Sequence, residues 1–179
     1  DNWNAIDPNI VIDENNVPWM SFGSFWDGIK LVRLDSSMLH IAQPEQWHSI
    51  ARRSNGDKNA SKAIEAPFIF KKDGYYYLFV SFDFCCKGAD SDYKVVVGRA
   101  TSVQGPYLDK KGENMATGGG TLVVEGNKRY PGVGHCSVYH FDGKDYMFFH
   151  GYDEENNGHP RLLLRTIKWD KEGWPIVEL

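Results

Sequence analysis

Short apolar or aromatic runs, each bounded by a polar turn, recur along the chain and predict strands joined as hairpins. Three stretches follow one template. The first is Asn4-Ala5-Ile6-Asp7-Pro8-Asn9-Ile10-Val11-Ile12, a turn at Asp13-Glu14-Asn15-Asn16, then Val17-Pro18-Trp19-Met20-Ser21-Phe22-Gly23. The second is Lys62-Ala63-Ile64-Glu65-Ala66-Pro67-Phe68-Ile69-Phe70, a turn at Lys72-Asp73-Gly74, then Tyr75-Tyr76-Tyr77-Leu78-Phe79-Val80-Ser81-Phe82. The third is Gly132-Val133-Gly134-His135-Cys136-Ser137-Val138-Tyr139-His140-Phe141, a turn at Asp142-Gly143, then Lys144-Asp145-Tyr146-Met147-Phe148-Phe149-His150-Gly151. Asp-Gly between two apolar runs is a strong hairpin signal, because that pair accepts the positive φ angles of a tight turn.

Each hairpin is followed by a third apolar run, at 29–34, 93–100 and 161–167, and by a candidate outer strand at 49–52, 121–124 and 175–177. Four antiparallel strands repeated every roughly 40–70 residues predict an all-β chain of β-propeller blades. The blades are expected at about 1–57, 58–127 and 128–179, within one domain. The long connections 83–92 and 153–160 join second to third strands and are expected on one rim. Helical spacing is weak everywhere; residues 36–54 could hold one turn. A closed propeller needs about 4–8 blades, so three imply a larger molecule or a second fragment.

The template places Asp7, Glu65 and His135 at matching points, with spacings of 58 (65 − 7) and 70 (135 − 65) residues. Repeated strands that present polar groups at one point bring them toward a common axis. Paired carboxylates there point to glycoside hydrolysis, in which one carboxyl protonates the leaving oxygen and a second acts across the sugar. A carboxyl among apolar side chains and beside another carboxylate keeps its proton to higher pH; Ile64, Ala66 and Phe68 flank Glu65.

Composition narrows the partners. Aromatics reach 14% of the 179 residues, which suits both a β core and stacking on sugar rings. The net charge of −4 and the lack of a basic run argue against nucleic acid. No run of 18 apolar residues predicts a membrane span. No signal peptide opens the chain, as in a mature secreted protein or a fragment. Cys85, Cys86 and Cys136 lack the spacing of a zinc site. Adjacent cysteines seldom bridge each other, and all three are read as small buried hydrophobes.

The segments Asn4-Ala5-Ile6-Asp7-Pro8-Asn9, Glu65-Ala66-Pro67-Phe68, Gly98-Arg99-Ala100-Thr101-Ser102 with Gly105-Pro106-Tyr107, Gly134-His135-Cys136-Ser137-Val138 and Trp169-Asp170-Lys171-Glu172-Gly173-Trp174-Pro175 together resemble glycoside hydrolase family 43. The resemblance is closest to its endo-α-1,5-L-arabinanases and runs over nearly the whole chain. It implies a five-bladed β-propeller with its site at one end of the central channel, of which this chain would hold the last three blades. It implies inverting hydrolysis of α-1,5-linked arabinan by a secreted, periplasmic or cell-surface enzyme. Glu65 would be the general acid and Asp7 the carboxylate that orients it and raises its pKa. His135 would lie on the channel axis beside a calcium ion and its waters. Asn4, Phe25, Trp26 and Cys85 would contact arabinan or arabino-oligosaccharide. The family's general base, an Asp in a His-Asp-Pro-like motif, has no counterpart here: His159-Pro160 has no Asp between. An exo-acting arabinofuranosidase or β-xylosidase of the same family and a non-catalytic carbohydrate-binding propeller are the alternative readings. The rest of the blades would come from elsewhere in a longer chain or from a second chain or fragment.

Overall fold

The computed structural model describes residues 2–54 and 61–179; the expected boundary between the first two blades, near residue 57, lies outside them. Strands β1 (Asn9–Ile12), β2 (Pro18–Phe22), β3 (Ile29–Arg33) and β4 (Trp47–Ala51) form one antiparallel sheet in that order. Strands β5 (Ile64–Lys72), β6 (Tyr75–Phe82), β7 (Lys94–Ala100) and β8 (Thr121–Val124) form the second. The third has β9 (Val133–Phe141), β10 (Lys144–Asp153) and β11 (His159–Thr166), with β10 central. The described residues contain no α-helix, only three short 3-10 turns, so 36–54 holds a turn and β4 rather than a helix.

Two expectations are corrected. Pro175–Ile176 (β13) pairs with Lys168–Trp169 (β12) as a separate hairpin, so the third sheet has three strands and not four. The connection after β10 is only 154–158, because His159 and Pro160 pair with Asp153 and Tyr152. Pro160 is tolerated there because β11 is an edge strand with no further ladder to supply.

The sheets stack in series, and burial follows position in the stack. Tyr76, Leu78 and Val80 of β6 face the first sheet, packing with Trp19, Ile29 and Leu31. Tyr77 and Phe79 face the third sheet, packing with Val138, Met147 and Phe149. Covered on both sides, β6 has no need of a polar face, and its sequence is apolar or aromatic at every position but Ser81. The outer sheets differ from each other. Trp3 closes over the outer face of the first, stacked on Trp47 at 4.8 Å. The outer face of the third leaves Tyr139, Phe141, Leu162 and Leu164 exposed around a shallow apolar pocket.

The inner strands β1, β5 and β9 share a distortion. The register jumps from Glu65↔Ser81 to Phe68↔Phe79, and from Gly134↔His150 to Ser137↔Phe148. Each jump is a β-bulge carrying one left-handed residue, Ala66 at φ 54° and His135 at φ 53°. Asp7, two residues before the first paired residue of β1, has φ 56°. By register Asp7 therefore matches Ala66 and His135. Glu65 stands one position earlier, level with Ile6 and Gly134, so the sequence equivalence of Asp7, Glu65 and His135 is off by one at Glu65.

Candidate active site

The two bulges and the left-handed Asp7 ahead of β1 bring side chains from three sheets to one place. One donor atom from each of Asp7, Glu65 and His135 lies within 4.8 Å of the others. His135 Nε2 is 4.0 Å from Asp7 Oδ1. Positive φ is rare for residues other than glycine and persists where surrounding contacts hold it. Those contacts run between sheets. The Ala66 N–H donates to Asp7 Oδ2 at 3.1 Å, and the His135 N–H donates to Ser81 Oγ at 2.8 Å. Each bulge amide is satisfied by a side chain of the sheet before it.

Glu65 is held from two sides. Tyr93 donates its hydroxyl to Oε1 at 2.7 Å and Ser24 donates to Oε2 at 3.2 Å. Burial first, then the neighbouring Glu65 carboxyl, raises the Tyr93 pKa, so its hydroxyl stays a proton donor. His150 lies 5.7 Å from the Tyr93 ring; burial, then the neighbouring His135, lowers its pKa and favours the neutral imidazole. Neither Tyr93 nor Ser24 was singled out as a site residue from sequence. Ser24 sits in the Gly23-Ser24-Phe25-Trp26 segment already noted, whereas no local signal marks Tyr93.

Below this group a cleft of about 640 Å³ runs along the inner strands, lined by Asp7, Asn9, Phe68, His135, Ser137 and Tyr139 among others. His135 is half exposed on it. Phe25 and Trp26 occupy the β2–β3 loop with φ 57° and 39°. The loop is tied beside Glu65 by the Phe25 N–H to the Ile64 carbonyl, 2.7 Å, and by the Ser24–Glu65 bridge. Trp26 is 61% exposed, a free ring at the edge of the site. The Asn4 backbone carbonyl accepts from the Ile6 N–H at 3.0 Å. Cys85 is half-buried in contact with Glu65, and Cys86 is exposed. Only Cys136 is the buried hydrophobe expected of all three.

Burial is the largest influence on Asp7 and raises its pKa; His135 opposes it, Glu65 adds to it, and the Ala66 N–H opposes it. The folded state thus binds this proton more tightly than the unfolded chain does. Stability from this group is greatest at low pH and falls as pH rises through the raised value. Asp7→Asn is therefore expected to unfold at a higher temperature than the parent at pH 7, with the gain fading below about pH 4. Thermal melts across that range check it; a lower Tm at pH 7 would mean that the Ala66 contact outweighs the buried charge.

The residues can accommodate a cation. Calcium coordinates six to eight oxygens, and His135 opens on a cleft with room for waters to supply them. Asp7 Oδ2 and both Glu65 oxygens already accept hydrogen bonds from Ala66, Tyr93 and Ser24, and Asp7 Oδ1 faces the half-exposed His135 imidazole at 4.0 Å.

Comparison with known proteins gives the ancestry. The family model described as glycosyl hydrolases family 43 matches residues 1–175. An extracellular exo-α-(1→5)-L-arabinofuranosidase of Cellvibrio japonicus is 50% identical over 183 residues, covering 99% of this chain and 53% of that protein. An extracellular endo-α-(1→5)-L-arabinanase of Bacillus subtilis is 44% identical over 174 residues, covering 97% of this chain and 51% of that protein. The solved structure of a Cellvibrio cellulosa α-L-arabinanase complexed with arabinohexaose superposes with a TM-score of 0.94 at 49% identity, covering 99% of this chain and 58% of that one. The chain spans about half the length of the curated relatives it matches. With the family model spanning all but its last four residues and relatives of this identity over almost its whole length, the chain belongs to glycoside hydrolase family 43.

Proposed function

We propose that this chain forms the greater part of the acid side of an inverting glycoside hydrolase that cleaves α-1,5-linked L-arabinan outside the cell. The observation that carries the reading is the convergence of Asp7, Glu65 and His135 on one point from three successive sheets. Relatives named as extracellular enzymes on α-(1→5)-linked arabinan support the substrate and the location.

Glu65 is the general acid. It protonates the glycosidic oxygen as the bond to the anomeric carbon breaks. Tyr93 and Ser24 fix its two oxygens, which costs the acid its rotational freedom before the substrate arrives. Asp7 orients the site: its second oxygen holds the bulge that follows Glu65. Asp7 is not the base of this reaction. An inverting pair stands about 6.5–9.5 Å apart to admit a water, and the Asp7 and Glu65 oxygens lie within 4.8 Å. The base then comes from a part of the fold that this chain does not supply. Trp26 and Phe25 stack on furanose rings at the mouth of the site, and Cys85 and Asn4 border it. A calcium ion held through His135 and waters would add positive charge facing the carboxylates.

The exposed face of Tyr139, Phe141, Leu162 and Leu164 is the surface on which a further blade packs, as the third sheet packs on the second. Apolar patches beyond a few hundred Å² are uncommon on soluble monomers. The 179-residue chain on its own is expected to associate in light scattering and to leave arabinan intact. Joined to the rest of a family-length catalytic domain, it is expected to release arabinose or arabino-oligosaccharides. Proton NMR of the first product should show the β anomer. An α anomer would make Asp7 a nucleophile and overturn inversion; an active monomer of the isolated chain would overturn the missing base.

A further inference from the structure

The loop from β6 to β7 carries two adjacent thiols beside the proposed acid. It is anchored at both ends: Asp83 is paired with Arg53 at 3.1 Å and Lys94 at 3.0 Å, and the Phe84 N–H donates to Asp92 Oδ1 at 2.8 Å. Within it, the Cys86 N–H donates to the Tyr152 hydroxyl oxygen at 2.7 Å, and that hydroxyl in turn lies 3.6 Å from Cys86 Sγ as a donor. Cys86 has φ 66°, a left-handed conformation that this anchoring holds. The two thiols are in contact with each other, and Cys85 also touches Glu65. The pair thus has one exposed sulfur, one half-buried sulfur and a fixed backbone between them.

We propose that Cys85 and Cys86 are a dithiol–disulfide pair, and that closing the bridge removes the thiol proton donor beside Glu65. The second part rests on the reading of Glu65 as the acid. The oxidant is a small-molecule disulfide such as oxidised glutathione. The exposed Cys86 thiolate attacks one of its sulfurs and expels one thiol, leaving a mixed disulfide on Cys86. Cys85 then gives its proton to solvent, attacks Cys86 Sγ and expels the second thiol. Two protein thiols are oxidised and one disulfide is reduced to two thiols. Cys86 is the first attacker on exposure, since Cys85 is pushed up to about 12 by burial, then by Cys86 and Glu65.

The bridge would be labile. Adjacent Cα atoms are about 3.8 Å apart, below the usual disulfide span of roughly 4.4–6.8 Å, and strained or exposed bridges are the readily reduced ones. Relatives named extracellular place such chemistry where disulfides persist. A structural staple would close a long loop; this one closes none, so what it changes is the wall of the site.

The test incubates the protein with oxidised glutathione, blocks free thiols with iodoacetamide and digests it with trypsin. Cleavage after Lys72 and Lys87 leaves both residues in the peptide 73–87. The expected peptide is unalkylated and about 2 Da lighter than the reduced form, restored by dithiothreitol. Cys86→Ser should abolish the change. Two alkylated thiols, or a stable glutathione adduct, would overturn the bridge. In a family-length enzyme the oxidised form should show a several-fold different kcat on arabinan, reversed by dithiothreitol and absent in Cys86→Ser. Bridge formation with unchanged kcat would overturn the link to Glu65. The mass result does not depend on hydrolysis, so failure of the arabinan reading would leave it standing.

Discussion

Glu65→Gln in a family-length enzyme is expected to slow hydrolysis of unactivated arabinan by about 10²–10⁴-fold, the usual contribution of a general acid. Oligosaccharide binding should be nearly unchanged. The amide keeps the shape of the carboxyl, and its oxygen can still accept from Tyr93, which donates at 2.7 Å in the parent. What it cannot do is release a proton to the departing oxygen. An aryl arabinoside with an acidic leaving group needs little protonation and should lose far less. Comparing kcat/KM on both substrates checks this; an equal loss on each would remove Glu65 from the acid role and leave it as a binding group.

The second large effect is expected at Gly134, which touches no substrate. A Cβ there would meet Tyr93 Cε1 at 2.2 Å and Cδ1 at 2.3 Å. Gly134 occupies the position on the third sheet that Glu65 occupies on the second, so any side chain here points at the ring that holds Glu65. Tyr93 is fully buried and cannot swing aside. Gly134→Ala should cost about 1–3 kcal/mol from overpacking, a fall in Tm of roughly 2–4 °C per kcal/mol at this size. It should also cut kcat, because the displaced hydroxyl no longer meets Glu65 Oε1. Tyr93→Phe separates the two: it keeps the packing and loses the donor, so kcat should fall with a much smaller change in Tm. If Gly134→Ala melts like the parent and retains its activity, the close packing of glycine on tyrosine is not what sets the Glu65 geometry.

Gly134 also illustrates why part of the site was not legible beforehand. In sequence it is a small residue beside His135, and nothing local separates a glycine required by a distant ring from one required by a turn. Tyr93 opens a predicted strand and is 28 residues from the Glu65 it serves. Ser81 reads as a polar break in an apolar run, and its function, accepting from the His135 N–H, lies 54 residues away. By contrast Glu65 and His135 stood out because the repeated hairpin template sets a polar residue with Asp7 at matching points, and Trp26 because it lies next to turn residues.

The sequence by itself determined where the strands lie, where the hairpins turn and that polar groups recur on the inner strand of each repeat. These are local properties: alternation of side chains along a strand and the backbone tolerance of Asp-Gly act within a few residues. Its resemblance also carried the family. The tertiary structure alone decided the rest. A bulge in β5 shifts register by one, so that Asp7 matches Ala66 and Glu65 faces Tyr93; register depends on the partner strand, which lies beyond any local window. Burial of Cys136 follows from the face β9 turns to the second sheet, and exposure of Cys86 from how the β6–β7 loop is tied down. The final segment pairs with β12 instead of extending the third sheet, and Trp3 covers one flank while the other stays open. Each of these outcomes is a competition between contacts distant in the chain, settled by packing.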